Sequence, residues 1–128
     1  MVRFGTCSWK YDSWNGLVYS DTNSRNYLFE YSSKFDTVEI DQWFWSLFPP
    51  RKVVLPQKKV VEGYKKSVSD DFLFTIKVPN SITLTHFYKN SKNEKLQANP
   101  YFLSNEIFSE FLNSISPTIS PVVLTVPA

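Results

Sequence analysis

The sequence contains few of the residues that build disulfides, metal sites and phosphate-binding loops. Its 128 residues include one cysteine, Cys7, one histidine and three glycines. A single cysteine cannot form an internal disulfide, and we see no partners with which it could form a metal site. Three glycines argue against a nucleotide-phosphate cradle, and the two-histidine metal motif and the G-x-S-x-G elbow are both missing. We therefore expect neither a metal nor a cofactor.

Long hydrophobic runs and a strong charge of either sign are also missing. The chain starts Met-Val-Arg-Phe-Gly without an apolar signal segment, and no run approaches membrane-spanning length. We therefore expect a cytoplasmic protein that does not associate with membranes. The formal net charge of +2 is too small to indicate a nucleic-acid partner. A group of lysines on the polar side of a predicted helix is interpreted as a solvated face: Lys58, Lys59, Lys65 and Lys66.

The composition that remains is that of one folded domain. Hydrophobic residues make up 42% of the chain and charged residues 20%, which argues against disorder. The length suits one domain and is too short for two ordinary ones. Aromatic residues reach 17%, and many fall in predicted loops. They indicate either a binding face or local cores within long loops.

Short apolar runs alternate with amphipathic segments along the whole chain. This alternation, with right-handed crossovers, predicts a parallel sheet of the β/α-repeat type whose functional groups lie at the carboxyl ends of its strands. The predicted strands are Val2–Ser8, Thr37–Ile40, Phe72–Val78 and Val122–Val126. The predicted helices run from about Ser24 to Lys34 with Asn23 or Ser24 as cap, over Gln57–Val68, and from Ser104 to Ile115 with Ser104 as cap.

Three segments between these elements are predicted to be loops, and loops as long as the last of them are usually functional or mobile in compact domains. The three segments are Trp9–Thr22, Gln42–Leu55 and Pro79–Phe102. Gly5, inside the first predicted strand, would let another side chain approach the backbone closely.

Side-chain alternation in the second and third strands separates apolar from polar residues. The apolar set should pack under the helices, which turns the polar set toward the barrel interior: Glu39, Asp41, Thr75 and Lys77. Glu39 and Lys77 would lie at similar depth on adjacent strands. Mutual attraction favours ionisation of such a pair and desolvation opposes it. The pair is either an acid/base or substrate-orienting group, or an ion pair that fixes strand register.

His86 and Cys7 are two further candidates for chemistry. His86 follows the carboxyl end of the third strand, where it could act as an acid, a base or a ligand, or be a hydrogen-bonded structural residue. Cys7 lies within a predicted strand, and we interpret it as a small core residue rather than a nucleophile.

Aromatic residues of the first two loops could line a ligand pocket. Flat rings stack on sugars or bases, although local packing of the loops would explain the same residues equally well. The candidates are Trp9, Tyr11 and Trp14 in the first loop, with Trp43 and Trp45 in the second.

Several short motifs together resemble the YecE-like family, also called DUF72, whose members are TIM-barrel proteins of unassigned function. They are Gly5-Thr6-Cys7-Ser8-Trp9 with Trp14 and Gly16, then Phe35-Asp36-Thr37-Val38-Glu39-Ile40-Asp41, Phe72-Leu73-Phe74-Thr75-Ile76-Lys77-Val78-Pro79, Ile82-Thr83-Leu84-Thr85-His86 and Asn99-Pro100-Tyr101-Phe102-Leu103. The resemblance implies a (β/α) barrel with a pocket at the strand carboxyl ends and implies no established reaction. By position it makes Trp9, Glu39, Lys77 and His86 members of that pocket.

The chain departs from the family in its extent. A complete barrel has eight strands and typically about 250 residues, whereas this sequence supplies about four strands. The expected fold is therefore half of a (β/α)8 TIM-type barrel, with three intervening helices, in a single partial domain over residues 1–128 that is truncated after the fourth strand. An open half barrel has two bare sheet edges and an uncovered inner face, so we expect self-association.

Three functions remain open from the sequence. The protein could be an enzyme, or the remnant of one, that acts on a small polar or sugar-like ligand, with Glu39 and Lys77 in acid/base or electrostatic roles and Trp9 and Trp43 as walls. It could be a binding module without catalysis whose aromatic loops hold the ligand. It could also be an inactive fragment of a split or interrupted barrel gene.

Overall fold

The computed structural model describes residues 1–20 and 25–127. The described residues form six strands: β1 (Thr6–Cys7), β2 (Thr37–Ile40), β3 (Leu47–Phe48), β4 (Lys52–Val53), β5 (Leu73–Lys77) and β6 (Val123–Thr125). They also form four α-helices: α1 (Tyr27–Ser32), α2 (Lys58–Lys66), α3 (Asn80–Thr83) and α4 (Asn105–Ile115). None of these helices is long and apolar enough to cross a membrane.

One sheet of four parallel strands organises the molecule. Its order is β1-β2-β5-β6, and every neighbouring pair in it runs parallel. A helix lies in each interval of the chain between consecutive strands of this sheet: α1, then α2, then α4. This arrangement confirms the predicted parallel sheet with three intervening helices, and it is half of a (β/α)8 barrel.

The outer face of the sheet carries the hydrophobic core. Val38, Ile40, Phe74 and Ile76 are at most 2% exposed and belong to one buried apolar cluster. The cluster includes side chains from the covering helices: Tyr31 of α1, Val61 of α2, and Phe111 and Ile115 of α4. Each such side chain stabilises the fold by about 1.5–3 kcal/mol relative to exposure. The predicted division of β2 and β5 into an apolar and a polar side is confirmed.

Two of the helices, α1 and α4, begin at side-chain caps, and α1 and α2 are shorter than the sequence pattern predicts. The Asn26 side chain accepts a hydrogen bond from the Phe29 amide at the start of α1, and Ser104 accepts one from Ile107 at the start of α4. The cap predicted at Ser104 is confirmed. The first helix begins at Tyr27, and its expected caps, Asn23 and Ser24, lie outside the described residues.

The first strand is much shorter than Val2–Ser8, and that predicted range is wrong. Val2 and Phe4 are 79% and 78% exposed, and only Thr6–Cys7 pair with β2. At Gly5 the chain passes so close to β2 that a Cβ there would lie 2.1 Å from the carbonyl oxygen of Thr37. The close approach expected at Gly5 is therefore made mainly by backbone rather than by a side chain.

All three predicted loops contain ordered elements, and the first holds a 3-10 helix at Asp12–Trp14. The segment after β2 holds a 3-10 helix at Gln42–Phe44 and the antiparallel hairpin of β3 and β4, and the segment after β5 begins with α3. Buried Asn80 joins the two segments, because its side-chain oxygen accepts hydrogen bonds from the amides of Ser46 at 3.0 Å and Leu47 at 2.8 Å. These segments follow the carboxyl ends of β2 and β5, so the hydrogen bonds of Asn80 hold in place the loops beside those strand ends.

Candidate functional site

The inner face of the sheet presents a row of side chains that crosses all four strands. The register pairs Cys7 with Glu39, Glu39 with Thr75, and Thr75 with Val123. These four residues line an open cavity of about 440 Å³. Because successive side chains of a strand point to opposite faces, these four residues lie on the face opposite the buried core, and their polar groups line this cavity.

Three charged side chains meet at the carboxyl ends of β2 and β5. The Lys77 Nζ lies 3.0 Å from Asp41 Oδ1 and 3.6 Å from Glu39 Oε1. The side chains of Glu39, Asp41 and Lys77 are 19%, 29% and 28% exposed, so each retains access to solvent. We call these three residues the strand-end cluster. The structure thus brings together the three charged residues that the sequence pattern assigned to the barrel interior.

Lys77 is held in its charged form. A hydrogen bond to Asp41 is the main cause that raises the pKa of Lys77, and the charges of Asp41 and Glu39 add to it, whereas desolvation acts in the opposite direction. An ammonium ion cannot serve as a nucleophile or as a general base. Lys77 can therefore orient the two carboxylates and stabilise negative charge, but it cannot take up a proton.

Cys7 extends the cluster toward β1. Its thiol donates a hydrogen bond of 3.6 Å to Glu39 Oε1. Cys7 is exposed as a residue, but partial desolvation of its thiol against the sheet is the largest cause that raises its pKa, followed by the charge of Glu39 and that of Asp41. The thiol therefore stays neutral near pH 7. The interpretation of Cys7 as a small core residue is wrong, because the residue is exposed on an inner face that no layer covers within the described residues.

The expectation that Cys7 has no neighbours able to bind a metal is also corrected. The Cys7 sulfur and carboxylate oxygens of Glu39 and Asp41 all lie within 4.8 Å of one another. The spacing of cysteine and histidine along the chain indicates no metal site, whereas the parallel strands bring carboxylates beside the thiol. A metal ion there would have to compete with the ammonium of Lys77, which already contacts both carboxylates.

Phe44 is a site residue that the sequence argument did not select. Its ring centroid lies 5.8 Å from the Lys77 Nζ, which is cation–π distance. Phe44 ends the 3-10 helix that starts directly after Asp41. Residues three apart share a face of a 3-10 helix, so Asp41 and Phe44 point the same way. That spacing was visible in the sequence, but the segment was assigned as a loop.

The structure places Trp9 and Trp43 on the helical side of the sheet rather than beside the strand-end cluster, and Trp9 lines a separate cavity there with residues of α1 and α2. The two tryptophans are only 2% and 9% exposed, and both rings pack on Tyr64 of α2, at 4.9 Å and 5.8 Å between centroids. Continued alternation would have placed Trp9 on the same side as Cys7. Ser8 has a φ of 62°, and this left-handed residue breaks the alternation and directs Trp9 to the helical side.

Tyr11 and Trp14 belong to a local aromatic cluster of the first loop. Their ring centroids lie 4.6 Å apart, and Trp14 stacks on buried Tyr31 at 6.4 Å. The Tyr11 hydroxyl donates a hydrogen bond of 2.6 Å to the carbonyl oxygen of Cys7. The contacts support the packing interpretation for both residues, and they hold the first loop against the carboxyl end of β1.

His86 lies apart from the strand-end cluster. It is exposed, and its Nδ1 lies 3.0 Å from the hydroxyl of the adjacent Thr85. Among the contacts of the described residues, none joins His86 to Glu39, Asp41 or Lys77. The geometry favours the hydrogen-bonded structural interpretation of this residue.

A parallel sheet covered by helices on its outer face, with charged groups at its strand carboxyl ends, defines half of a TIM-type (β/α)8 barrel. The family model described as "Protein of unknown function DUF72" matches residues 3–128, and the chain belongs to this family.

The solved structures that resemble this chain include two crystal structures of a DUF72 family protein (EF0366) from Enterococcus faecalis V583. The structure at 3.10 Å resolution has 26% sequence identity and a TM-score of 0.61, and the match covers 97% of this chain and 37% of that chain. The structure at 2.52 Å resolution has 24% identity, a TM-score of 0.57 and the same coverage. This chain therefore spans little more than a third of that relative. The comparison with curated proteins gives no match.

Proposed function

We propose that the protein binds a small polar, sugar-like ligand at the carboxyl ends of its parallel strands, as an enzyme or as the remnant of one. The observation that carries the proposal is the convergence of the Lys77 ammonium with two carboxylates: Asp41, directly after β2, at 3.0 Å, and Glu39 of β2, which also lines the open cavity, at 3.6 Å. Ligands of α/β barrels bind at this end of the strands.

The roles follow from what each group can do. The carboxylates of Glu39 and Asp41 accept hydrogen bonds from ligand hydroxyl groups, and Lys77 holds them in position. Glu39 is the proposed acid/base group, because its Oε1 faces both the Cys7 thiol and the Lys77 ammonium. Lys77 would stabilise negative charge that develops on the ligand.

A binding module without catalysis is the second candidate. It is favoured by the protonation states of the site, since the raised pKa values of Lys77 and Cys7 leave neither an amine base nor a thiolate nucleophile near pH 7. The two candidates differ in the effect of Glu39→Gln. A loss of turnover larger than the loss of affinity supports an enzyme, whereas a purely binding role predicts that only affinity changes.

The third candidate is an inactive fragment, and the short length of the chain compared with its relative supports it. The match covers 37% of the E. faecalis relative, so a full barrel would add groups that the described strands do not provide. If this candidate is correct, the described half fails to bind any ligand until the remaining strands are supplied.

The experiment measures binding of neutral monosaccharides and polyols by ligand-observed NMR. We expect Glu39→Gln and Lys77→Met to weaken binding by about tenfold or more, because each removes a charged hydrogen-bond partner. Matched controls come from two surface ion pairs, Lys58–Glu62 and Lys65–Asp70, and Glu62→Gln and Lys65→Met should leave binding unchanged. Equal binding by the cluster variants and the controls would contradict the proposal.

We propose the cytoplasm as the location of the protein. The support is chemical: Cys7 is a free thiol that is exposed on the inner face, and such thiols persist in reducing compartments. Fractionation of cells followed by detection of the protein tests this assignment.

A further inference from the structure

We propose that the strand-end cluster selects ligands with a protonated amine beside hydroxyl groups over their neutral and anionic counterparts. The inference rests on the ligand-binding role proposed above and adds the charge class of the ligand. It comes from three properties of the cluster: its net charge, its balance of donors and acceptors, and the ring beside it.

The charge count favours a cationic ligand. Two carboxylates, Glu39 and Asp41, face one ammonium, Lys77, so the cluster formally carries a charge of −1. Among the described residues, Lys77 is the one cation in ion-pair contact with either carboxylate. The neighbouring Cys7 does not alter the count, because partial desolvation and the two carboxylates raise its pKa and keep the thiol neutral.

The balance of hydrogen-bond donors and acceptors in the cluster also favours a ligand that carries donors. Two carboxylates offer four acceptor oxygens, while Lys77 brings three N–H donors, and its Nζ lies 3.0 Å from Asp41 Oδ1 and 3.6 Å from Glu39 Oε1, so acceptors outnumber donors in the cluster. A ligand must therefore supply donors, as hydroxyl and ammonium groups do. A phosphate or carboxylate would meet like charge from Glu39 and Asp41, and it would have to compete with both for the Lys77 ammonium.

Phe44 adds a further preference for positive charge. The face of an aromatic ring carries partial negative charge, and the Phe44 centroid already lies 5.8 Å from the Lys77 Nζ. A ligand ammonium that enters beside Lys77 would meet the same ring, while an anion would be repelled by it.

The test compares four sugars that share a ring: glucosamine, N-acetylglucosamine, glucose and glucuronate. Dissociation constants are measured by calorimetry at pH 7 and low salt. We expect glucosamine to bind at least about fivefold more tightly than glucose, and glucuronate to bind most weakly. N-acetylglucosamine keeps the substituent but loses the charge, so it should bind like glucose. Added salt should reduce the advantage of glucosamine.

Two variants change the preference in opposite directions. Asp41→Asn removes one negative charge and should reduce the glucosamine-to-glucose affinity ratio to about one. Lys77→Met leaves two carboxylates without their cation and should raise the ratio, even though neutral sugars bind less well. Asp70→Asn, which removes a surface carboxylate from an ion pair, is the control and should leave the ratio unchanged. Circular dichroism establishes that each variant is folded.

The outcomes separate this inference from the proposed function. If all four sugars bind equally and the cluster variants weaken them equally, the site is correct and the charge preference is overturned. Tightest binding of glucuronate also overturns the preference. If none of the sugars binds to the folded protein, then the proposed function and the charge preference both fail.

Discussion

The two faces of the four-stranded sheet share one backbone but differ in the burial and the polarity of their side chains. On β5, Ile76 points outward and is fully buried under the helices, while its neighbour Lys77 points inward and keeps 28% of its side chain exposed. The same alternation separates Val38 from Glu39 on β2. One short segment therefore supplies the core on one side and candidate chemistry on the other.

The difference shows why this sheet can tolerate charged groups in its strands. The outer face lowers the free energy of folding through apolar burial, whereas the inner face contributes little burial and leaves its ionised groups partly hydrated. Glu39, Asp41 and Lys77 are each at least 19% exposed, so they avoid the full desolvation cost that a closed core would impose. Stability and function should therefore respond to different residues of one strand.

The largest effect is expected at Ile76 of the outer face. Ile76→Ala deletes buried methyl groups and leaves a cavity, which should reduce the free energy of unfolding by about 2–5 kcal/mol. Thr75→Val, one residue earlier on the inner face, keeps the side-chain volume and removes one long hydrogen bond of 3.4 Å, so it should cost about 1 kcal/mol or less. Urea denaturation measures both values. Equal losses would show that the inner face is as tightly packed as the outer one.

A smaller effect is expected where β1 joins the sheet. A side-chain carbon on Gly5 would lie 2.1 Å from the Thr37 carbonyl oxygen, so Gly5→Ala must shift β1 from β2 and should cost about 1–3 kcal/mol. Gly63, in α2, is the matched control, since a Cβ there meets nothing within 4 Å. Gly63→Ala should stabilise the protein by about 0.5–1 kcal/mol through helix propensity. A neutral Gly5→Ala in thermal unfolding would contradict the close approach.

The sequence was sufficient to predict the sheet and the charged cluster. Period-two alternation in two strands assigned Glu39 and Lys77 to one face, and regular backbone geometry then brought them together. The structure departs from the predicted placement at Trp9 and Cys7, where the strand is short. A left-handed Ser8 redirects Trp9, and the exposure of Cys7 depends on which layers cover the edge strand. Neither property is encoded in local alternation.

The surroundings of the site were less predictable, for a physical reason. Buried Asn80 fixes the segment after β2 through the amides of Ser46 and Leu47, more than thirty residues away in the sequence. A hydrogen bond of this kind joins two irregular segments and leaves no periodic pattern. Phe44 was missed for a different reason: its spacing of three from Asp41 is present in the sequence, but one 3-10 turn is too short to distinguish that spacing from a loop.

Association of two chains would enclose the inner face and reduce the difference in solvent exposure between the two faces of the sheet. The outer edges of β1 and β6 are unpaired within the described sheet, and a twofold axis along the barrel would pair β6 of each copy with β1 of the other, all parallel. We therefore expect light scattering to give about twice the mass of one chain. The Val123→Lys substitution on β6 should prevent association and return the measured mass to that of one chain.

The control for this experiment is Val54→Lys, because Val54 and Val123 are equally exposed, at 40%, and Val54 lies outside the four-stranded sheet. The mass should be unaffected by Val54→Lys. A single-chain mass for the unmodified protein would contradict self-association. If further βα units added to the chain complete the barrel, those units rather than a second copy would cover the inner face.

The smallest effect, on thiol ionisation, gives the finest test of the inner face. Partial desolvation, then the charges of Glu39 and Asp41, raise the pKa of Cys7 above its ordinary value of 9.0, while Lys77 lowers it. The folded state therefore holds the thiol proton more tightly than the unfolded state. The associated stabilisation is complete below about pH 9 and is lost as the pH rises through the pKa of the folded protein.

Alkylation of Cys7 by iodoacetamide as a function of pH measures this ionisation, because the thiolate is the reactive form. At pH 9 the folded protein should react more slowly than the denatured chain. Glu39→Gln should accelerate the reaction at fixed pH, and Lys77→Met should slow it further, because the two substitutions remove charges of opposite sign. Glu62→Gln, in a surface ion pair of α2, should change nothing. If Glu39→Gln and Lys77→Met change the rate in the same direction, electrostatic coupling across the inner row is excluded, and the thiol responds to altered packing or access instead.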